Sequence, residues 1–144
     1  MLGAPIRSVL EPHKLVLAPP EASVADAARL MARHGVGAVL VVDHDGTLSG
    51  IFTERDAVFR VMARGLDPER TALCEAMTAR PLTVAPDETL GFALLLMYEH
   101  GFRHVPVVED GKPIGVVSAR YALDPDLEEF SAEAARRTAI RRRV

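Results

Sequence analysis

The chain has 144 residues, 49% of them apolar and 26% charged, and a formal charge of −3; this balance fits one globular domain and gives no electrostatic reason to expect nucleic acid as the main partner. Its longest apolar runs, residues 36–42 and 90–98, fall far short of the ~20 residues a bilayer span needs, and its first residues lack the basic-then-apolar order of a secretion signal, so membrane insertion and export are not expected. One cysteine, Cys74, leaves no internal disulfide and suits a reducing cytoplasm, while the absence of tryptophan argues against an aromatic stacking platform.

A strand is predicted over residues 14–18, followed by a Pro19-Pro20 turn. Val24, Ala27, Ala28 and Met31 then fall at helical spacing, with Ser23 able to cap the start and Gly35 to end the helix. The run Ala38–Val42 is rich in valine, which suits a strand buried on both faces. Asp45-Gly46 makes a hairpin turn, a second strand covers 48–52, and a helix covers 54–64. Residues 65–78 join this half to the next, with a turn at Asp67-Pro68 and a short helix over 72–77. There Cys74 follows Leu73 on an apolar face and reads as a small core residue.

The same order then recurs. A strand is predicted over 82–85, and a helix carries Leu90, Ala93, Leu94 and Met97, capped by Asp87 and ended by Gly101. A strand over 104–108, a turn at Asp110-Gly111, a strand over 114–117 and a helix over 119–123 complete the second half. From Asp126 the tail reads as a helix ending in Arg136, Arg137, Arg141, Arg142 and Arg143. Those cations complement a helix C-terminus, or they meet an acidic partner or the phosphates of a bound nucleotide.

The recurrence is a duplication. At an offset of 66 residues, Pro20, Ala27, Leu30, Met31, His34, Gly35 and Val39 meet Pro86, Ala93, Leu96, Met97, His100, Gly101 and Val105. After a one-residue deletion near Asp43-His44, Asp45, Gly46, Gly50 and Arg55 meet Asp110, Gly111, Gly115 and Arg120. Two copies of one supersecondary unit bury a face against each other, and a unit of about 60 residues is marginal by itself.

Each copy ends on a shared phrase, Gly50-Ile51-Phe52-Thr53-Glu54-Arg55-Asp56 and Gly115-Val116-Val117-Ser118-Ala119-Arg120-Tyr121. Thr53 stands where a strand becomes a helix. The free N–H groups of a first helical turn attract anions, and a hydroxyl adds a donor. Asp56 lies one turn on, and a carboxylate accepts hydrogen bonds from both hydroxyls of a ribose. Thr-x-x-Asp is equally a variant capping box. The second copy keeps the hydroxyl at Ser118 but has Tyr121 for the acid, so the fold does not demand a carboxylate there, and ligand binding at Asp56 is favoured. One ribose-competent site per chain is expected, the other being empty, altered or a phosphate clamp.

No set of nucleophile, base and orienting group is visible, and neither a phosphate-binding glycine loop nor a dinucleotide fingerprint occurs. His34 and His100 precede the glycine that ends each first helix, where a cation suits the dipole. Only His100 and His104 have i, i+4 spacing, and Gly101 separates them at a helix end, which is not a helical zinc site. Neither catalysis nor a metal is expected, and no cofactor is required.

The element order, both phrases, Met77-Thr78-Ala79-Arg80-Pro81-Leu82-Thr83-Val84 and Phe102-Arg103-His104-Val105-Pro106-Val107-Val108 together resemble a tandem pair of CBS domains, a Bateman module, from about Ile6 to Asp124. The resemblance implies an α+β fold of two β-α-β-β-α repeats related by a pseudo-two-fold axis. It divides the chain into repeat 1 (6–66), a linker (67–76), repeat 2 (77–125) and a helical tail (126–144). It further implies a regulatory module that senses AMP, ADP, ATP, S-adenosylmethionine or a related adenosine ligand. Thr53 and Asp56 would hold phosphate and ribose, with the adenine in an apolar slot near Val16, Ala38 and Ile51. Arg103 and His104 lie where some members bind phosphate, and Ser118 could contact one; otherwise Arg103 is a solvent-facing charge and His104 a packed strand residue. Pairs of this kind commonly form homodimers, here through second helices carrying Val58, Phe59 and Met62, and pass the signal to a regulated protein. The alternative is a ligand-free interaction subunit that docks on an enzyme or transporter, which the basic tail and Tyr121 favour.

Overall fold

The computed structural model describes residues 2–120 and 136–140. Repeat 1 runs through β1 (Leu17–Ala18), α1 (Val24–His34), β2 (Ala38–Val42), β3 (Leu48–Thr53) and a helical turn α2 (Glu54–Asp56) that continues as a π-helical segment, Ala57–Met62. Then come α3 (Leu73–Ala76) and β4 (Thr78–Ala79), and repeat 2 supplies α4 (Leu90–His100), β5 (His104–Glu109) and β6 (Lys112–Ser118). The fold is α+β with two repeats. One sheet has the order β1-β2-β3-β4, with β1 and β2 parallel and the other pairs antiparallel. In repeat 2, β5 and β6 form the hairpin, and Val84 adds a parallel bridge to Val107.

Alternation along β2 explains its apolar run. Val39 and Val41 face α1 and join Val24, Ala27, Met31 and Phe52 in the core of repeat 1. Ala38 and Leu40 point to the opposite face and meet Ile51, with Leu15 and Val116 packed against them. A strand covered on both faces has no polar side to show. Repeat 2 has its own core, built on Val84, Leu90, Ala93, Met97, Val105, Val107 and Val117.

Several elements differ from the sequence reading. The strand expected over 14–18 is short because Pro12–Lys14 form a 3-10 turn, although Val16 still accepts a hydrogen bond from Leu40 N–H at 2.9 Å. The strand expected over 82–85 reduces to the bridge at Val84, between Pro81 and Pro86, which have no N–H to donate. Asp87 does not cap the second helix. Thr89, the partner of Ser23 at the repeat offset, accepts from Phe92 N–H at 3.2 Å, as Ser23 does from Asp26 N–H at 3.0 Å, and Asp87 instead faces Arg7 at 3.6 Å. Cys74 is exposed: Leu73 and Ala76, three apart on α3, take the buried face and turn it outward. The helix expected over 54–64 is α-helical for one turn and then widens to i→i+5 bonding, as in Ala63 N–H to Val58 C=O at 2.8 Å. Residues 136–140 are helical; of the helix expected over 119–123, Ala119 and Arg120 are in 3-10 conformation, and its remainder from Tyr121 lies, with the rest of the tail, outside the described residues.

The segments that precede each repeat cross over. The N-terminal arm docks on repeat 2: Ile6 N–H bonds Glu88 C=O at 2.8 Å, Arg7 N–H bonds Pro86 C=O at 2.9 Å, and Ile6 is fully buried in that core. The linker docks on repeat 1: Leu73 N–H bonds Ala22 C=O at 2.8 Å, Val24 N–H bonds Thr71 C=O at 2.8 Å, and Leu73 is fully buried there. The exchange is reciprocal, as a local two-fold requires. It also accounts for the glycine of each phrase. A Cβ at Gly50 would collide with Met77 Sδ, directly after the linker, and one at Gly115 would stand 2.6 Å from Leu10 Cδ2 of the arm. The side chains of Met77 and Leu10 lie against bare backbone there, and a Cβ would make them shift.

Candidate ligand site

The two phrases occupy matching places. Thr53 ends β3 opposite Ala38, and Ser118 ends β6 opposite His104. Each following residue ties to the loop before the central strand: Glu54 N–H bonds Gly37 C=O at 3.0 Å, and Ala119 N–H bonds Arg103 C=O at 2.8 Å.

At the first copy, Thr53 and Asp56 form a capping box. Asp56 Oδ2 accepts from Thr53 N–H at 3.1 Å and from its hydroxyl at 3.3 Å, and that hydroxyl accepts from Asp56 N–H at 3.3 Å. Asp56 Oδ1 lies 3.5 Å from Arg60 Nε. The carboxylate is buried, with a relative exposure of 8%. Capping is thus one function of Asp56, and Oδ1 is the oxygen outside the cap. At the second copy the Ser118 hydroxyl accepts from Arg120 N–H at 3.2 Å.

Ala38 and Ile51 come together in the apolar layer between the repeats, closed by Leu40, Leu15 and Val116. Val16 does not join them. Its side chain faces the repeat 1 core, because alternation sends Leu15 to the other side. Leu15 and Val116 are the slot residues that sequence reasoning missed.

His104 sits at the junction of the repeats. A Cβ on Gly37 would stand 3.1 Å from His104 Nε2 and would collide with Glu54 Oε1, so the imidazole and the carboxylate converge over this glycine. Burial is the largest influence on His104 and lowers its pKa below the usual imidazole value; Glu54 opposes this, and Arg120 and Arg103 add to the lowering. Glu54 and Arg120 were also missed. Arg120 recurs as Arg55 in the first phrase, which was its signal; Glu54 matches Ala119 and had none.

The sign of the His104 shift gives a pH dependence. An unfolded imidazole takes up a proton below about pH 6.5, whereas the folded one resists. Stability should therefore fall as the pH drops from about 7 toward 5, through the unfolded value and then the lowered folded one. His104→Gln should flatten this stretch of a plot of melting temperature against pH; an unchanged slope would exclude His104 as its source.

A separate cleft of about 510 Å³ opens beside α1, lined by Ala28, Met31, Ala32, Val36, Ala57 and Val58, with Glu54 and Arg120 among its polar residues. None of the ligand-binding residues expected from sequence lines it. Among the described residues no three His, Cys, Asp or Glu side chains stand together as a metal site, and no helix is long and apolar enough to cross a membrane.

The chain matches the CBS domain family over residues 6–63 and again over 73–125. A CBS domain-containing protein of Arabidopsis thaliana is 43% identical over 70% of this chain, which corresponds to 19% of that relative. The chain spans 16–20% of the length of the first curated relatives it matches. An uncharacterized conserved protein from Pyrococcus horikoshii has a TM-score of 0.79 and 32% identity, over 88% of this chain and 94% of that one. A CBS domain protein from Pyrobaculum aerophilum, solved in complex with AMP, has a TM-score of 0.74 and 27% identity, over 81% and 88% of the two chains. The duplication, the crossed arms and these matches agree: the chain belongs to the CBS domain family and carries two CBS repeats.

Proposed function

We propose that the chain is a regulatory, non-catalytic module that binds an adenosine ligand of the AMP, ADP, ATP or S-adenosylmethionine class. The observation that carries this reading is the helix start at Thr53. It sits at the end of β3, which runs beside the apolar layer of Ala38, Leu40 and Ile51. In this reading Asp56 Oδ1 accepts from the ribose, the Thr53 helix end and the Arg103–His104 junction receive phosphate with Ser118, and the adenine lies against Ala38 and Ile51. The AMP complex of the Pyrobaculum aerophilum protein supports the ligand class. A ligand that touches both repeats biases their relative arrangement, which is what a regulated partner would read. Calorimetric titration with AMP, ATP and S-adenosylmethionine tests the reading: heat with at least one is expected, and no heat with any would refute it.

One observation favours the second reading, an interaction subunit without a ligand. The Asp56 carboxylate is already engaged by Thr53 and Arg60, so the helix end is satisfied without a nucleotide. That reading predicts no heat in the same titrations and capture of a stable partner that nucleotide does not release.

A further inference from the structure

The space directly over Gly37 is enclosed by groups from both repeats. A Cβ on Gly37 would collide with Glu54 Oε1 and stand 3.1 Å from His104 Nε2. Gly37 is not among the glycines with positive φ, so the backbone does not call for glycine here. What its bareness supplies is a hollow, the size of a side-chain atom, between a carboxylate and an imidazole. Gly37, Glu54 and Arg120 all line the 510 Å³ cleft. Repeat 2 is built otherwise: Arg103 stands for Gly37 and Ala119 for Glu54, so the fold requires neither the hollow nor the acid. Glu54 takes no part in the capping box, whose acid is Asp56. Among the described residues neither Glu54 nor Arg120 makes an ion pair.

We propose that this hollow takes the α-amino-acid end of an adenosine ligand, so that the chain selects an S-adenosylmethionine-type ligand over AMP, ADP and ATP. The inference rests on the adenosine reading and narrows it. The ammonium donates to Glu54 and to the His104 ring, which burial keeps neutral. The carboxylate accepts from the Arg120 guanidinium, a charge-assisted and directional contact. Repeat 1 thus supplies the acid and repeat 2 the imidazole and the guanidinium, and the ligand ties the two together. The reach is right. The hollow lies one residue, ~3.3 Å, before Ala38, against which the adenine is placed, and Glu54 shares a helical turn with Asp56, placed at the ribose. The 5′ substituent is the part of the ligand left to fill it. Arg103 and Arg120 attract an anion of either kind, so Glu54 is the group that discriminates. A phosphate there would face a like charge. The helix start offers it little in return, because Glu54 N–H is bonded to Gly37 C=O at 3.0 Å and Asp56 N–H to the Thr53 hydroxyl at 3.3 Å.

The test is calorimetric titration of the full chain with S-adenosylmethionine, S-adenosylhomocysteine, 5′-methylthioadenosine, AMP and ATP. The second and third are both uncharged at sulfur and differ in the amino-acid end alone. S-adenosylhomocysteine should bind about tenfold or more tightly than 5′-methylthioadenosine, the scale of a hydrogen-bonded charged group, and more tightly than AMP or ATP. Equal affinity for the two thioethers, or tighter binding of ATP, would overturn the proposal and leave the adenosine reading standing. A gain with S-adenosylmethionine alone would trace to its sulfonium charge and overturn it as well. No heat with any of the five would refute that reading and this inference together. Glu54→Gln removes the charge and Gly37→Ala fills the hollow, and neither position belongs to a hydrophobic core, so both variants should fold. Each should cut the preference for S-adenosylhomocysteine over 5′-methylthioadenosine to about twofold or less, and Glu54→Gln should strengthen AMP and ATP. A preference that survives both substitutions would show that the amino-acid end lies elsewhere.

Discussion

Replacing Ile6 with alanine is expected to destabilise repeat 2 by about 2–5 kcal/mol, the range for a large buried aliphatic side chain. Ile6 is fully buried although it stands near the start of the chain, and it packs with Val84, Leu90 and Val117 rather than with repeat 1. Removing its branched side chain leaves a hole in a core of eight buried residues, which are too few to close over it easily. Urea denaturation gives the size of the loss, and hydrogen exchange gives its place: amides of β5 and β6 should lose protection before those of β2. Leu73→Ala is the reciprocal change and should loosen β2 and β3 first, since Leu73 is fully buried in the core of repeat 1. Loss of protection in β2 on replacing Ile6, with β5 unaffected, would contradict the crossed arrangement.

At Asp56 two effects are expected from one substitution. Asp56→Ala removes the capping box and its ion pair with Arg60, a loss of about 1–2 kcal/mol on the scale of helix caps, and it removes the proposed ribose acceptor. Asp56→Asn separates the two. The amide keeps an oxygen that can accept from Thr53 N–H, so most of the stability should remain. It lacks the charge that strengthens hydrogen bonds to a ribose, so ribonucleotide affinity should fall about tenfold or more, with little change in melting temperature. Calorimetry and thermal unfolding on the two variants distinguish these outcomes. An Asp56→Asn variant that binds as wild type would show that Asp56 is a cap and no more.

Much of this was legible in the sequence because it repeats. The duplication fixed the order of elements, the valine run announced a doubly covered β2, and the glycines after His34 and His100 marked helix ends, where both adopt the left-handed conformation (φ 64° and 75°). What escaped was what depends on which half meets which. Gly50 and Gly115 were visible as a repeated letter, but their reason, the passage of Met77 and Leu10 across them, belongs to arms that cross between repeats. Val16 and Leu15 were confused because a one-residue step along a strand exchanges its faces. Asp87 and Thr89 both suit a helix cap, and only the repeat offset, applied strictly, selects Thr89. Glu54, matched by Ala119, and Arg120, matched by Arg55, were not singled out in the phrase and prove to be neighbours of His104.

The crossed arms also order events during synthesis. Repeat 1 can close as soon as its own linker has emerged, because everything it needs lies in one continuous stretch ending near Ala79. Ile6 must wait for Val105, Val107 and Val117, the last of which emerges roughly 2–8 s after Ala79 at typical rates of chain elongation. Through that interval the arm carrying Ile6 has nowhere to dock, so repeat 1 forms beside a loose arm. Repeat 2 is completed only when an arm made before repeat 1 returns to seal it.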